Sequence, residues 1–310
     1  MKSVLQVRKP VAEAWFVTTN AVLAKVDPSH GPTQAAAIVN RVYRETPPVS
    51  RRDATEFASF CAAWIDAHTQ PINPSDMLTF EEWLEGTQYT LAEKAKITAA
   101  VDEQFPKRHD PKLRKRKAFV KDEEYAKINH ARLICAGEDL FKGIFGPYWK
   151  VVENQIFSLP HFAKHIPRVD LADALVGLAA KVMPILIEGD DCIYFDGTLY
   201  LVGDFESYES LLVVALTRAI ERRALRRIHL HTLSEDLALL ADEVYGWDGR
   251  PTTVHTNQVQ AKGPARRFSG DNQTSLGNGL ANFLIWLFIQ SNNLPITPDT
   301  FLRYGFRIKL

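Results

Sequence analysis

Apolar and polar positions run in two rhythms along this chain, and the change falls near position 183. Before it, residues 34–43, 54–68, 80–84 and 91–105 carry apolar side chains at helical spacing, broken at Pro and Gly. The stretch from Ser75 to Leu84 contains a start of the capping-box kind. Residues 1–105 therefore read as a mostly helical N-terminal region. Residues 106–118 are basic and read as a loop, and 119–121 and 132–135 as short strands around a polar turn. Residues 137–166 read as helix broken at Gly146-Pro147, and 171–182 as helix.

After position 183 the period shortens. Residues 183–187 form an apolar strand, 188–191 a turn and 192–195 a second strand. Asp196-Gly197 is a strong hairpin signal, and 198–202 form a third strand ending at Gly203-Asp204. Residues 209–225, 234–245 and 278–290 read as helices, and 301–310 end in a strand. Strands with helices behind one face indicate an α+β layer.

The chain has 310 residues, enough for one large domain or two with ample core. Its 37 Lys and Arg balance 37 Asp and Glu, so net charge argues neither for nor against nucleic acid, and any basic surface is local. One local run exists, from Lys107 to Lys117. The three cysteines, Cys61, Cys135 and Cys192, form no CxxC pair, which fits a reducing compartment rather than a disulfide framework. The first nine residues lack the apolar core of a signal peptide. The longest apolar runs, 211–216 and 283–289, fall far short of the ~20 residues a bilayer span needs.

Three features carry chemistry. Gly189-Asp190-Asp191 and Asp204-Phe-Glu-Ser-Tyr-Glu209 are acidic and sit at strand ends. With a two-residue turn at Asp196-Gly197, Phe195 pairs with Thr198, and counting back sets Asp190 against Gly203 and Asp191 against Val202. The hairpin thus brings three aspartates to one sheet end, and a register change would exchange which faces which. Two-metal nucleotidyl transfer needs such converging carboxylates, with metals roughly 3.5–4 Å apart. The third feature is Ser269-Gly270 running into a helix with Thr274 and Asn278 on one face. These side chains can donate to and accept from a hydroxyl, and Gly270 lets backbone approach closely, which suits a ribose. Taken alone, Gly-Asp-Asp is a common surface turn; the combination argues against that reading.

Together these motifs resemble motifs C, A and B of a viral RNA-dependent RNA polymerase, over roughly residue 70 to the end. The stretch Phe119-Val-Lys-Asp-Glu-Glu with Lys127 and Arg132 looks like motif F, the fingers hairpin of positive-strand RNA virus enzymes. Residues Gly146 to Pro167 look like the following fingers segment of noda-, tombus- and sobemo-like enzymes. The C–A–B order is that of the permuted palm of birnaviruses and permutotetraviruses. The end, Gly305-Phe-Arg-Ile-Lys309, looks like motif D.

The resemblance implies a right-hand polymerase with helical fingers and an RRM-like antiparallel palm sheet. Residues 1–105 would be outer fingers, 106–180 fingers with motif F, and 181–310 the palm. Asp190, Asp191 and Asp204 would bind Mg2+ or Mn2+, and Lys309 would act as general acid. Lys121, Lys127 and Arg132 would hold triphosphate oxygens, Glu209 would sense the ribose, and Ser269, Gly270, Thr274 and Asn278 would complete the nucleotide site. The partners implied are RNA template and product and nucleoside triphosphates, in a replication complex of the host cytoplasm. Motif E and a thumb are missing, so a second chain or a longer one would supply them. The competing reading is a non-catalytic, RNA-binding subunit of a split replicase, with the Gly-Asp-Asp coincidental. A reverse transcriptase is disfavoured, since Asn278 and Ser269 suit a 2′-hydroxyl. The pairs His161/His165 and His229/His231 lack a third metal ligand at a recognisable spacing and read as structural. Trp64, Trp83, Trp149 and Trp286 read as core.

Overall fold

The computed structural model describes residues 12–16, 22–103, 108–125, 130–181 and 184–310, with the side chains of 12–16, 22–24, 103, 125, 165 and 179 left aside. Among the described residues eleven strands form three sheets. They are β1 (Ala12–Phe16), β2 (Val22–Val26), β3 (Lys115–Val120), β4 (Glu124–Tyr125), β5 (Leu133–Ala136), β6 (Ile185–Glu188), β7 (Asp191–Phe195), β8 (Tyr200–Phe205), β9 (Thr252–His255), β10 (Gln260–Gly263) and β11 (Ile308–Lys309). The sheet orders are β1-β2-β4, β10-β9-β3-β5 and β11-β8-β7-β6. The third sheet is antiparallel throughout. The architecture is α+β, as the periodicity implies.

That third sheet is packed on one face. Cys192, Gly203, Phe205 and Ile308 point inward, while Asp191, Asp204 and Lys309 alternate outward. Behind it lies the helix Thr274–Ser291, which is apolar nearly all round and therefore central to the core. Gly203 lets the helix close on the sheet. A Cβ there would lie 2.9 Å from Cys192 Sγ and 3.0 Å from the Trp286 ring.

The basic stretch expected to be a loop is a short 3-10 helix, Pro111–Arg114, followed by β3. Its alternation is hidden because an arginine occupies an inward position. Arg116 is 1% exposed and donates to Asp271 at 3.0 Å and to the Leu113 and Lys115 carbonyls. Strands β9 and β10, absent from the sequence reading, join β3 and β5, so sheet membership crosses position 181. The segments of the N-terminal region with helical spacing are helices, and β1 and β2 precede them.

The helix Asp139–Phe157 runs unbroken through Gly146-Pro147. Gly143 and Gly146 pack against the helices Leu91–Glu103 and Phe80–Glu85, where a Cβ would meet Val101 and Trp83. Burial of that face outweighs the hydrogen bond Pro removes. The capping box belongs to Thr79 and Glu82: Glu82 N donates to Thr79 Oγ1, and Thr79 N to Glu82 Oε2 at 2.8 Å. Residues 209–225, expected as one helix, form a helical turn at Tyr208–Leu211 and then, after an interruption at Leu212-Val213, a continuous helix from Val214 to Ile228 with a π-helical stretch at Arg218–Arg222. Trp83, Trp149 and Trp286 are buried.

Candidate active site

The register differs from the sequence expectation by two residues. The two-residue turn is Gly189-Asp190, because Glu188 pairs with Asp191. Gly189 has φ +59° at the first central position, where a hairpin turn of this kind requires glycine. Asp196-Gly197 instead opens a four-residue loop, with Phe195 opposite Tyr200. Asp196 holds this loop by accepting from the Thr198 and Leu199 amides, each at 2.7 Å. A shift of two preserves which side chains share a face. Asp191 is therefore directly opposite Asp204, and Asp204 is directly opposite Lys309. The three make one row across β7, β8 and β11.

This row, with Asp190, opens onto a cavity of about 710 Å³. Burial, then Asp190, Asp204 and Glu188, push the Asp191 carboxyl above the usual range. Burial and Asp190 do the same for Asp204, opposed by Lys309. Carboxylates that repel one another at one sheet end form a site with unmet demand for positive charge. Their hard oxygen donors suit Mg2+. Among the described residues, however, no group of three or more His, Cys, Asp or Glu is drawn close enough to hold a metal ion ready-made.

The Gly-Asp-Asp turn is clamped from behind. Asn282, fully buried on the central helix, donates from Nδ2 to the carbonyls of Gly189 at 3.1 Å and Asp191 at 3.0 Å. Sequence reading missed it. The one available signal was an Asn within an apolar helix run, a turn beyond Asn278.

A second cavity of about 240 Å³ adjoins the first and shares Arg41, Arg132 and Asp190 with it. Lys121, Arg132, Glu209, Ser269, Thr274 and Asn278 line it. Lys121 and Arg132 sit on paired strand ends, Lys121 N donating to Arg132 O at 2.9 Å, and both reach Glu123. Lys127 lies outside the described residues. Gly270 stands in the wall rather than the lining. Its amide donates to Cys135 O at 3.1 Å, and a Cβ would lie 2.7 Å from that oxygen. The Ser269 hydroxyl donates to Leu133 O, and the Thr274 hydroxyl to Phe268 O or Asp271 O. These two hydroxyls donate to backbone, and their oxygens keep lone pairs that face the cavity as acceptors. Asn278 Oδ1 accepts from the buried Arg267, which also contacts Glu221. Glu209 is ion-paired with Arg41 at 3.4 Å. Arg41 and Arg44 come from the segment after the helix Gly31–Ala37, and no sequence motif marks them.

Of the two histidine pairs, His161 and His229 have polar partners. His229 lies in a turn rather than a strand, held by Thr232 and the Tyr148 carbonyl. His161 sits 3.3 Å from Ile185 O. No helix among the described residues is long and apolar enough to cross a membrane.

A four-stranded antiparallel sheet carrying acids at one end and backed by a buried helix is the centre of this α+β fold. Two solved structures share it: the birnavirus VP1–VP3 complex and the RNA polymerase VP1 of Infectious Pancreatic Necrosis Virus. Each aligns with a TM-score of 0.57 at 14% identity, over 93% of this chain and 47% of that one. The chain thus spans about half the length of these polymerases, and at this identity the likeness is one of fold. No protein-family model and no curated protein matches.

Proposed function

We propose that this chain carries the fingers and palm of a viral RNA-directed RNA polymerase with a permuted palm. The observation that carries the reading is the cross-strand row Asp191–Asp204–Lys309 at the floor of a cavity that Asp190 also lines. The fold shared with birnavirus VP1 supports it.

In this reading Asp204, Asp191 and Asp190 hold divalent cations, Mg2+ or Mn2+. Such cations, when bound, stabilise the attacking and leaving oxygens of an in-line displacement. The protein's own part is positional. Asn282 fixes the turn that presents Asp190 and Asp191. Lys121 and Arg132 hold the triphosphate, Arg as a planar fork and Lys as a point charge. Lys127, by its resemblance to motif F, would join them. Asn278 meets the ribose, with Ser269 and Thr274 shaping the same wall and Gly270 behind it. Glu209 is held by Arg41 and would reach a ribose once that pair opens. Lys309, opposite Asp204, would deliver a proton to the leaving pyrophosphate. Partners are RNA template and product, nucleoside triphosphates and a further segment or chain supplying the thumb, in a replication complex of the host cytoplasm. One similar structure is itself a complex with a second protein, VP3.

The test is primer extension on an RNA template with Mg2+. Wild type should extend, and Asp204→Ala should lose activity while keeping RNA affinity. Absence of extension by wild type, with RNA binding intact, would favour the second reading, a non-catalytic RNA-binding subunit of a split replicase. That reading draws on the lack of a ready-made metal cluster among the described residues.

A further inference from the structure

We infer that Arg41 and Arg44 form a polyphosphate subsite, contributed by the N-terminal segment and held in reserve by two acids of the Asp204 loop. The inference rests on the polymerase reading for its ligand, a metal-bound triphosphate.

Arg41 is one of three residues, with Arg132 and Asp190, that line both cavities. A nucleotide with its ribose near Asn278 and its phosphates near the aspartates must pass the junction where Arg41 stands. Charge points the same way. The larger cavity is lined by four cationic side chains, Arg41, Arg44, Arg132 and Lys309, and four carboxylates, Asp190, Asp191, Asp204 and Glu206. The lining is balanced by itself. Divalent cations on the aspartates make it strongly positive, and a tetra-anionic triphosphate restores the balance.

The present partners of the two arginines are exchangeable. Arg41 Nε reaches Glu209 at 3.4 Å; Arg44 reaches Glu206 and the Ser207 hydroxyl, each at 3.3 Å. All three contacts sit at the long end of hydrogen-bond range, whereas a committed Arg–carboxylate fork closes to about 2.7–2.9 Å. His130, on the same cavity wall, is held toward its neutral form by burial and by the charges of Arg41 and Arg44. When phosphate takes the guanidinium groups, Glu209 and Glu206 are released beside Asp204. The Arg41 exchange frees the residue that resembles a ribose sensor.

The experiment measures binding of inorganic tripolyphosphate with Mg2+ by calorimetry, for wild type, Arg41→Gln, Arg44→Gln and the exposed control Arg51→Gln. A short RNA duplex is titrated in parallel, and melting temperatures verify folding. Arg41→Gln and Arg44→Gln should each weaken tripolyphosphate binding roughly tenfold to a hundredfold, the loss expected for a hydrogen bond to a charged group. Arg51→Gln should match wild type, duplex binding should be unchanged, and Arg41→Lys should recover part of the affinity. Unchanged tripolyphosphate affinity in folded Arg41→Gln and Arg44→Gln overturns the subsite. An equal loss of duplex binding overturns it too, by assigning the arginines to the RNA backbone. Because the probe needs no catalysis, a protein inactive in primer extension can still show the subsite, and an active one can lack it.

Discussion

At the scale of single residues the acids behave as a site that resists its own charge. Asp191 and Asp204 open onto the cavity yet are crowded enough that both carboxyls are raised, chiefly by burial and then by neighbouring carboxylates. A raised folded pKa means the native state keeps its proton to higher pH than the unfolded chain. Stability is then present at acid pH and lost as pH climbs through the raised value. Asp204→Asn should therefore raise the melting temperature at pH 7 by roughly 1–2 °C, a small gain because solvent screens the repulsion. The gain should vanish near pH 3, where the carboxyls are protonated. A thermal melt across pH checks this, and a loss of stability at pH 7 would contradict it. Asn278 offers a second prediction. Arg267 takes its carbonyl oxygen, so the amide nitrogen is what it can donate to a sugar hydroxyl. Asn278→Ala should reduce preference for ribonucleotides over deoxyribonucleotides by up to roughly tenfold, the worth of a hydrogen bond of about 0.5–1.5 kcal/mol. Competition between the two triphosphates in primer extension reads it directly.

At the scale of elements the strand β3 illustrates how a polar residue can act as core. Arg116 and Asp271 are buried and paired, and Arg116 also stacks over the Phe268 ring at 5.5 Å. The pair ties β3 to the loop that leads into the central helix. Removing one member leaves a buried charge uncompensated, at a cost of roughly 3–5 kcal/mol. Arg116→Ala should lower the urea midpoint accordingly. Replacing both partners, as Arg116→Met with Asp271→Leu, should recover much of the loss, since apolar isosteres of a buried pair are often neutral. A double variant no better than the single one would mean that the carbonyls of Leu113, Lys115 and Val244, and not the ion pair, are what Arg116 serves.

At the scale of the whole molecule two cores meet at the smaller cavity. One surrounds the central helix and the acidic sheet; the other lies under β3, β5 and β9. The seam between them includes the bridge between Ala136 and Gly270, where backbone meets backbone. Gly270→Val would thrust a side chain at the Cys135 carbonyl, which cannot swing away as a side chain can. Overpacking of that kind costs roughly 1–3 kcal/mol. The variant should have a lower denaturation midpoint and a nucleotide affinity reduced at least as much as Asn278→Ala, because the wall shared by Ser269 and Thr274 moves. Calorimetric titration of a triphosphate tests the second part.

Much of the site was legible without coordinates. Asp190, Asp191 and Asp204 at one sheet end follow from short-range alternation and a hairpin, and Thr274 and Asn278 on one face follow from helical spacing. Local periodicity decides these, since neighbours along the chain set which face a side chain takes. The α+β class follows from the same signal. The exact register, by contrast, turned on the loop between β7 and β8, where Asp196 caps four residues rather than two. Other features depended on contacts between distant segments. Arg116 could count as an inward strand residue only once Asp271, 155 positions away, was beside it. Arg41 and Arg44 reach the cavity through partners more than 160 positions distant. Asn282 clamps a turn some 90 positions upstream. Buried polar groups take their meaning from their partners, and only the tertiary structure supplies those.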